Sequence, residues 1–355
     1  MTPPIRYSET LEDVKPNEGE VIARLNNDFD DILETTWKDK GHAIRAVHAK
    51  AHAILRGTLT IDDGLPAELA QGLFATPGEH AVWLRISTNP GDILDDSISL
   101  PRGLAMKVLD VSGERLPGAE GSTQDFVMVN APVFQAKTAE EFEGNLKLLA
   151  KTTDRAEGAK KALSAVLRGV NTALTAVGIE SPKVQSLGGA PNAHPLGLTY
   201  YSVTPFRYGD HVAKFSLRPV SALLRQLEDV EIDASGRPNA IRETVRSDMR
   251  GIDAEWAFCV QLCRDPATMP IEDPTVEWPE EESPFLQVGT VRAMAQDSWD
   301  EAQVAEVNER LRFSTWTGLA AHRPLGNINR ARRETYRHSA DFRASHNRCP
   351  IHEPA

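Results

Sequence analysis

Residues 45–61, RAVHAKAHAILRGTLTI, and the three apolar runs that follow decide the fold. Those runs are HAVWLRIST (80–88), GLAMKVLDV (103–111) and DFVMVNAPVF (125–134). Asn89-Pro90-Gly91-Asp92 and Leu116-Pro117-Gly118 punctuate them. Short apolar runs broken by Pro, Gly and Asn read as strands and turns, so the span from 45 to 135 is a β-rich core.

On either side the period changes. Residues 1–20 are polar and carry several prolines, as an irregular arm would, and VIARLNNDFDDILETTW (21–37) has helical spacing. TAEEFEGNLKLLAKTTD (138–154) and AEGAKKALSAVLRGVNTALTAVG (156–178) show the i, i+3, i+4 stripe of amphipathic helices. QSLGGAPNAHPLG then returns the chain to strands at LTYYSVTPFRYG, HVAKFSLRPV and AEWAFCVQLCRD. The acidic, Pro-containing segment 269–288 reads mostly as a surface loop. SWDEAQVAEVNERLRF is helical, and a last helix runs through RARRETYRHSADFR with Asn327 or Asn329 as its N-cap. The expected class is α+β, with a closed or strongly bent antiparallel sheet and helices around it.

Composition narrows the function. The chain has 355 residues, 41% of them hydrophobic and 25% charged, an ordinary globular balance. A formal net charge of -12 argues against a nucleic-acid partner, because phosphate binding needs a basic surface. Three cysteines make no disulfide framework; Cys259 and Cys263 read as small packed hydrophobes and Cys349 falls in a polar tail. No run of about 18 apolar residues offers a membrane span. The N-terminal residues lack a basic segment followed by an apolar one, so the expected compartment is the cytoplasm.

Two places carry candidate chemistry. His48 stands beside Arg45 and Val47, and an imidazole poised near neutral pH can move protons. Arg332 and Tyr336 lie one helical turn apart and so on one face, where a guanidinium can favour a phenolate. His52 could pair with His48 across a helical turn, but no metalloprotease-type acid accompanies them, so it is read as packed.

The same residues resemble the catalase superfamily. RAVHAKAHA is similar to its signature around the distal histidine. Leu84-Arg85-Ile86-Ser87-Thr88, Pro101-Arg102-Gly103-Leu104-Ala105-Met106-Lys107-Val108 and Val129-Asn130-Ala131-Pro132-Val133-Phe134 resemble three further family segments in family order. Arg332-Arg333-Glu334-Thr335-Tyr336 resembles its R-x-x-x-Y. Val276-Glu277-Trp278-Pro279, Val288-Gly289-Thr290-Val291 and Phe313-Ser314 are similar to the segments that precede it.

The resemblance implies a catalase-like antiparallel β-barrel with surrounding helices, formed by residues 21–345, with an arm at 1–20 and a tail at 346–355. It implies haem b, with Tyr336 as the iron ligand, supported by Arg332. It implies His48 and Asn130 as the catalytic pair, and Ser87 bonded to the second His48 nitrogen. Val47 would narrow access to the iron and Phe134 would line the cofactor site. Arg45, Arg85 and Arg343 would meet the propionates. The implied activity is conversion of 2 H2O2 to O2 and 2 H2O, or peroxide-driven oxidation of an organic reductant, through a ferryl intermediate. An organic peroxidase or fatty-acid hydroperoxide-converting enzyme is the alternative, and a haem-free ligand-binding barrel the non-enzymatic one. Family members are commonly oligomeric, which makes a homo-oligomer the expectation, although the usual intersubunit arms are largely missing.

The chain departs from the pattern in places. Arg337-His338 follow the tyrosine where the family has Pro-Asp, and Leu100 stands where it carries a channel aspartate. The chain is too short for a C-terminal flavodoxin-like domain, so the expectation is a minimal core with a more accessible cofactor, which raises peroxidase action beside catalase action. His322-Arg323-Pro324-Leu325-Gly326 matches nothing in the family pattern.

Overall fold

Nine strands and four helices of two turns or more make up the described part of a computed structural model, which covers residues 2–150 and 191–354. The strands are β1 (Ala51–Ile61), β2 (Gly78–Thr88), β3 (Arg102–Val108), β4 (Gln124–Val129), β5 (Tyr200–Tyr201), β6 (Phe206–Tyr208), β7 (His211–Pro219), β8 (Ala254–Leu262) and β9 (Leu286–Ala293). The helices are α1 (Glu18–Lys40), α2 (Ala139–Ala150), α3 (Ala240–Met249) and α4 (Asn327–Asn347). The second amphipathic stretch read in the sequence, 156–178, lies outside the described residues.

Every strand pairing is antiparallel. β1 to β4 form a meander, β5 joins β4 at Val129–Tyr201 and β7 at Tyr201–Ser216, and β7, β8 and β9 lead back to β1 at Ile61–Gly289. Eight strands therefore close into a barrel, with β6 as a hairpin beside β7, and closure pairs the two ends that an open sheet would leave as edges. The α+β expectation, a closed antiparallel sheet with helices around it, is what the structure has.

The barrel is filled, not hollow. Phe74, Phe126, Phe215 and Phe258 pack with ring centroids 4.8–6.4 Å apart, and Tyr208 joins them at 6.1 Å from both Phe74 and Phe215. His322, from the segment the sequence left without a counterpart, enters this cluster and accepts the Leu73 N–H on Nε2 at 2.9 Å. Burial pushes this histidine down to about 3, so it is neutral and acts as a fitted core ring.

Outside the barrel, α1, α2 and α4 build a second apolar cluster from Leu25, Phe29, Ile32, Leu33, Leu146, Ile328 and Ala331. α1 begins at Glu18, three residues before the periodic run, and ends at Gly41 in the left-handed conformation, with its N–H bonded to Trp37 O. α4 is capped by Gly326 (φ 83°) instead of by Asn327 or Asn329. The asparagine side chains are engaged elsewhere: Asn327 bonds Glu272 and the Ala139 N–H, and Asn329 bonds Pro205 O and Leu325 O.

Two elements go beyond the sequence reading. β9 starts inside the acidic segment read as mostly loop, and α3 interrupts the run of strands. α4 continues to Asn347, and beyond it Glu353 lies almost fully buried on the barrel. Lys107 Nζ meets Asp125 Oδ1 at 2.8 Å and Glu353 Oε2 at 2.5 Å, and Arg312 Nε meets Glu353 Oε1 at 3.1 Å. Removing Lys107 leaves buried Asp125 without its cation and Glu353 with Arg312 alone. Lys107→Met is therefore expected to lower stability by about 3–5 kcal/mol, read as a shift in the urea midpoint; a shift below about 1 kcal/mol would show the network to be solvated.

Candidate functional site

The connection from α1 to β1 turns sharply at His48, whose φ of 53° is left-handed, a conformation strained for a side-chain-bearing residue. The surrounding backbone holds it there. His48 N–H bonds Asn89 O at 2.7 Å and Ala49 N–H bonds Pro90 O at 2.9 Å, so the Asn89–Gly91 turn clamps the loop. The fit needs glycine at 91, because a Cβ there would meet Ala46 O at 2.0 Å. β1 is irregular in register at once, between Ala51 and Ala53, as strands often are beside a site.

The His48 ring is then fixed by its neighbours. Its Nδ1 lies 3.1 Å from Ser87 Oγ on β2, as the sequence led one to expect. The ring packs against β3 at Gly103, where a Cβ would come within 2.4 Å of Cε1 and 2.6 Å of Nδ1. Gly103 belongs to a segment already quoted for its pattern, but its role as the floor of this ring was not read. Its signal was the glycine itself, in the interior of a strand. Burial first, then the fields of Arg85, Arg332 and Arg45, press His48 down to about 3. The imidazole is neutral at ordinary pH.

α4 faces this loop with a helical stripe: Ile328, Ala331, Arg332, Thr335, Tyr336, Ser339, Ala340 and Arg343 all line cavities. Ser339 Oγ accepts the Ala46 N–H at 3.1 Å and so ties the two halves together directly. Between them lie two adjoining cavities that enclose about 700 and about 940 Å3, part of it open to solvent. Phe29, Val47, His48, Thr335 and Tyr336 border both. The second is chiefly apolar, with Leu25, Val129, Val133, Phe134, Phe142 and Ile328 in its wall. Phe29, on α1, is a wall residue that the sequence reading passed over.

One end of the first cavity is cationic. Arg45, Arg85 and Arg343 all line it. Arg45 bonds Asn308 O at 2.6 Å and Leu311 O at 3.0 Å; Arg85 bonds His48 O at 2.8 Å; Arg343 bonds Glu309 O at 3.1 Å. None of the three makes a salt bridge among the described residues, and Arg343 Nε is buried with no partner. Burial lowers all three; the field of Arg343 adds to it at Arg85, and those of Arg343 and Arg85 at Arg45, while Arg85 comes to about 9 and Arg343 to about 10.

Arg332 and Asn130 also make bonds of their own within the protein. Arg332 does not reach the Tyr336 hydroxyl: its Nη1 bonds Thr204 Oγ1 at 3.2 Å and Asn329 Oδ1 at 3.1 Å, and its guanidinium lies 5.6 Å from the Phe134 ring centre. Those polar neighbours outcompete a phenol one helical turn away. Asn130 lies between the cavity residues Val129 and Ala131, but its Oδ1 accepts the Arg102 N–H at 2.7 Å, which leaves only its NH2 to donate. Val47, Phe134, Ser87, His48, Tyr336 and the three arginines are brought to the cleft. His52 is buried in β1, 3.4 Å from Thr88 Oγ1, and is not part of it.

These features suit a largely apolar ligand with an anionic edge: apolar walls, guanidiniums at one end, and a tyrosine hydroxyl with no hydrogen-bond partner among the described residues. No cluster of three His, Cys, Asp or Glu able to hold a bare metal ion occurs among the described residues. A metal here would have to arrive with most of its ligands.

No protein-family model and no curated protein matches the sequence. Among solved structures, a fungal catalase superposes with a TM-score of 0.58 at 16% identity, over 88% of this chain and 60% of that one. Catalase A from Saccharomyces cerevisiae gives 0.58 at 15%, over 97% and 67%, and a bacterial catalase gives 0.60 at 16%, over 98% and 67%. The fold is catalase-like, and the chain spans about 60–67% of the length of these proteins.

An unfolded histidine titrates near 6.5, whereas His48 and His322 are held near 3. Between those values the unfolded chain binds more protons, so acidification through this window destabilises the fold. The His48 ring resonances should stay fixed until the pH falls below about 4. Gly103→Ala, by expelling the ring, should move its midpoint up toward the ordinary histidine range, about 6.5. A wild-type midpoint already there would mean that the ring is hydrated.

Proposed function

We propose that the cleft binds haem b, with Tyr336 as the ligand to iron, and that the protein decomposes hydrogen peroxide or uses a peroxide to oxidise an organic donor. The observation that carries this reading is the conjunction of a Ser87-anchored neutral imidazole and a tyrosine with no hydrogen-bond partner among the described residues, on one apolar cleft that ends in three guanidiniums with no salt bridge among those residues. Haem would supply a ferric centre able to take the two oxidising equivalents of a peroxide.

The chain's own residues then have separable tasks. Tyr336 offers a hard oxygen donor from the rigid face of α4, and Arg45, Arg85 and Arg343 would hold the two propionates. With Nδ1–H given to Ser87 Oγ, His48 keeps a lone pair on Nε2 for the cleft. It can take the proton from one peroxide oxygen and return it to the other as the O–O bond breaks. Its depressed affinity for protons makes the charged state brief and favours that return. The NH2 of Asn130, between the wall residues Val129 and Ala131, is a neutral donor suited to polarising a peroxide. Arg332 contributes its field more than a bond, since it is fixed on Thr204 and Asn329.

The breadth of the second, apolar cavity favours an organic peroxide or an organic donor beside hydrogen peroxide. A haem-free barrel that binds another small ligand is the competing reading. Protein supplied with haemin should show a Soret band, and Tyr336→Phe should weaken or displace it. His48→Ala should keep the band and lower peroxide consumption by about 10²–10⁴-fold. Absence of any band in supplied wild type would remove the haem reading, and the ratio of oxygen release to guaiacol-type oxidation would separate catalase from peroxidase.

A further inference from the structure

The three arginines share one set of acceptors. A π-helical turn, Ala305–Arg310, follows a short helix at Glu301–Val304 and directs its groups at them. Arg45 bonds Asn308 O, Asn308 Oδ1 at 3.0 Å and Leu311 O, and Arg343 bonds Glu309 O and Leu311 O. Arg85 Nε bonds the same Asn308 Oδ1 at 3.1 Å. One amide oxygen thus aligns two buried guanidiniums, and every acceptor from this turn is neutral. Glu309 is the carboxylate whose field reaches all three arginines, yet its own bonds go to His42 Nε2 at 2.8 Å and to Asn308 Nδ2 at 2.8 Å.

We infer that Asn308 is a positioning residue that sets the preference for an anionic cofactor edge: it orients Arg45 and Arg85 with a neutral oxygen and so leaves their charge for the ligand. An aspartate there would have the same shape and could accept the same two arginine bonds, but it would lose the donor that Asn308 gives to Glu309 and would neutralise the pair from within. Its carboxylate would then compete with the ligand's own carboxylates. An alanine would leave both guanidiniums free to turn away. The inference rests on the haem reading and deepens it.

The test compares haemin with haemin dimethyl ester, whose propionates are uncharged, by Soret titration of the wild type, Asn308→Asp and Asn308→Ala. Wild type should prefer haemin. Asn308→Asp should lower that preference by about ten- to a hundredfold, chiefly through loss of haemin affinity, and Asn308→Ala should lower it less. The ratio of the two affinities cancels general damage to the fold, and Asn308→Ala decides the matter if circular dichroism shows that Asn308→Asp does not fold. Unchanged ratios in the variants, or a wild type indifferent to esterification, overturn the inference and leave the haem reading standing. A wild type that binds neither compound overturns both.

Discussion

Burying three guanidiniums within one another's field is the constraint on which the site depends. In a low-dielectric setting, like charges repel and each loses its hydration, so the chain must either pair them with carboxylates or surround them with dipoles. It takes the second course. A wider helical turn presents successive carbonyls on one side, where an α-helix would keep them in its own ladder. The arginines are held, but their charge is not cancelled.

The opposite wall is governed by sterics. The imidazole of His48 lies flat against a strand only because β3 offers a bare backbone at Gly103, and its loop approaches the next turn only because Gly91 carries no side chain. The left-handed backbone at His48 is a local cost that the barrel's hydrogen bonds override. Charge at one end and close approach at the other are independent devices, and α4 joins them through the Ser339–Ala46 bond.

Much of this was legible in the sequence. The alternation of apolar runs and turns from 45 to 135 gave β1 to β4, and the spacing in the last helix placed Arg332 and Tyr336 on one face. Strand β9 was hidden because acidic and proline residues crowd its approach, and its register depends on pairing with β1 and β8. α3 was hidden because it is short and polar outside Ile241, Val245 and Met249. Among site residues, Ser87 was readable because its partner was a specific nitrogen. The bonds of Arg332 were not readable, because i, i+4 spacing gives proximity but not the outcome of competition with Thr204 and Asn329. Asn308 left no signal, since its importance comes from a helical irregularity that no periodicity announces.

The tie between Ala46 and Ser339 spans 293 positions of sequence. Contacts of such long range form late, because the loop they close carries a large entropy cost. The cleft therefore has no partial form: a chain that has completed its first four strands owns the imidazole wall but not the tyrosine wall. Anything held between the two walls would act as a stitch across the ends of the molecule, so occupancy of the cleft would slow its unfolding as well as confer chemistry.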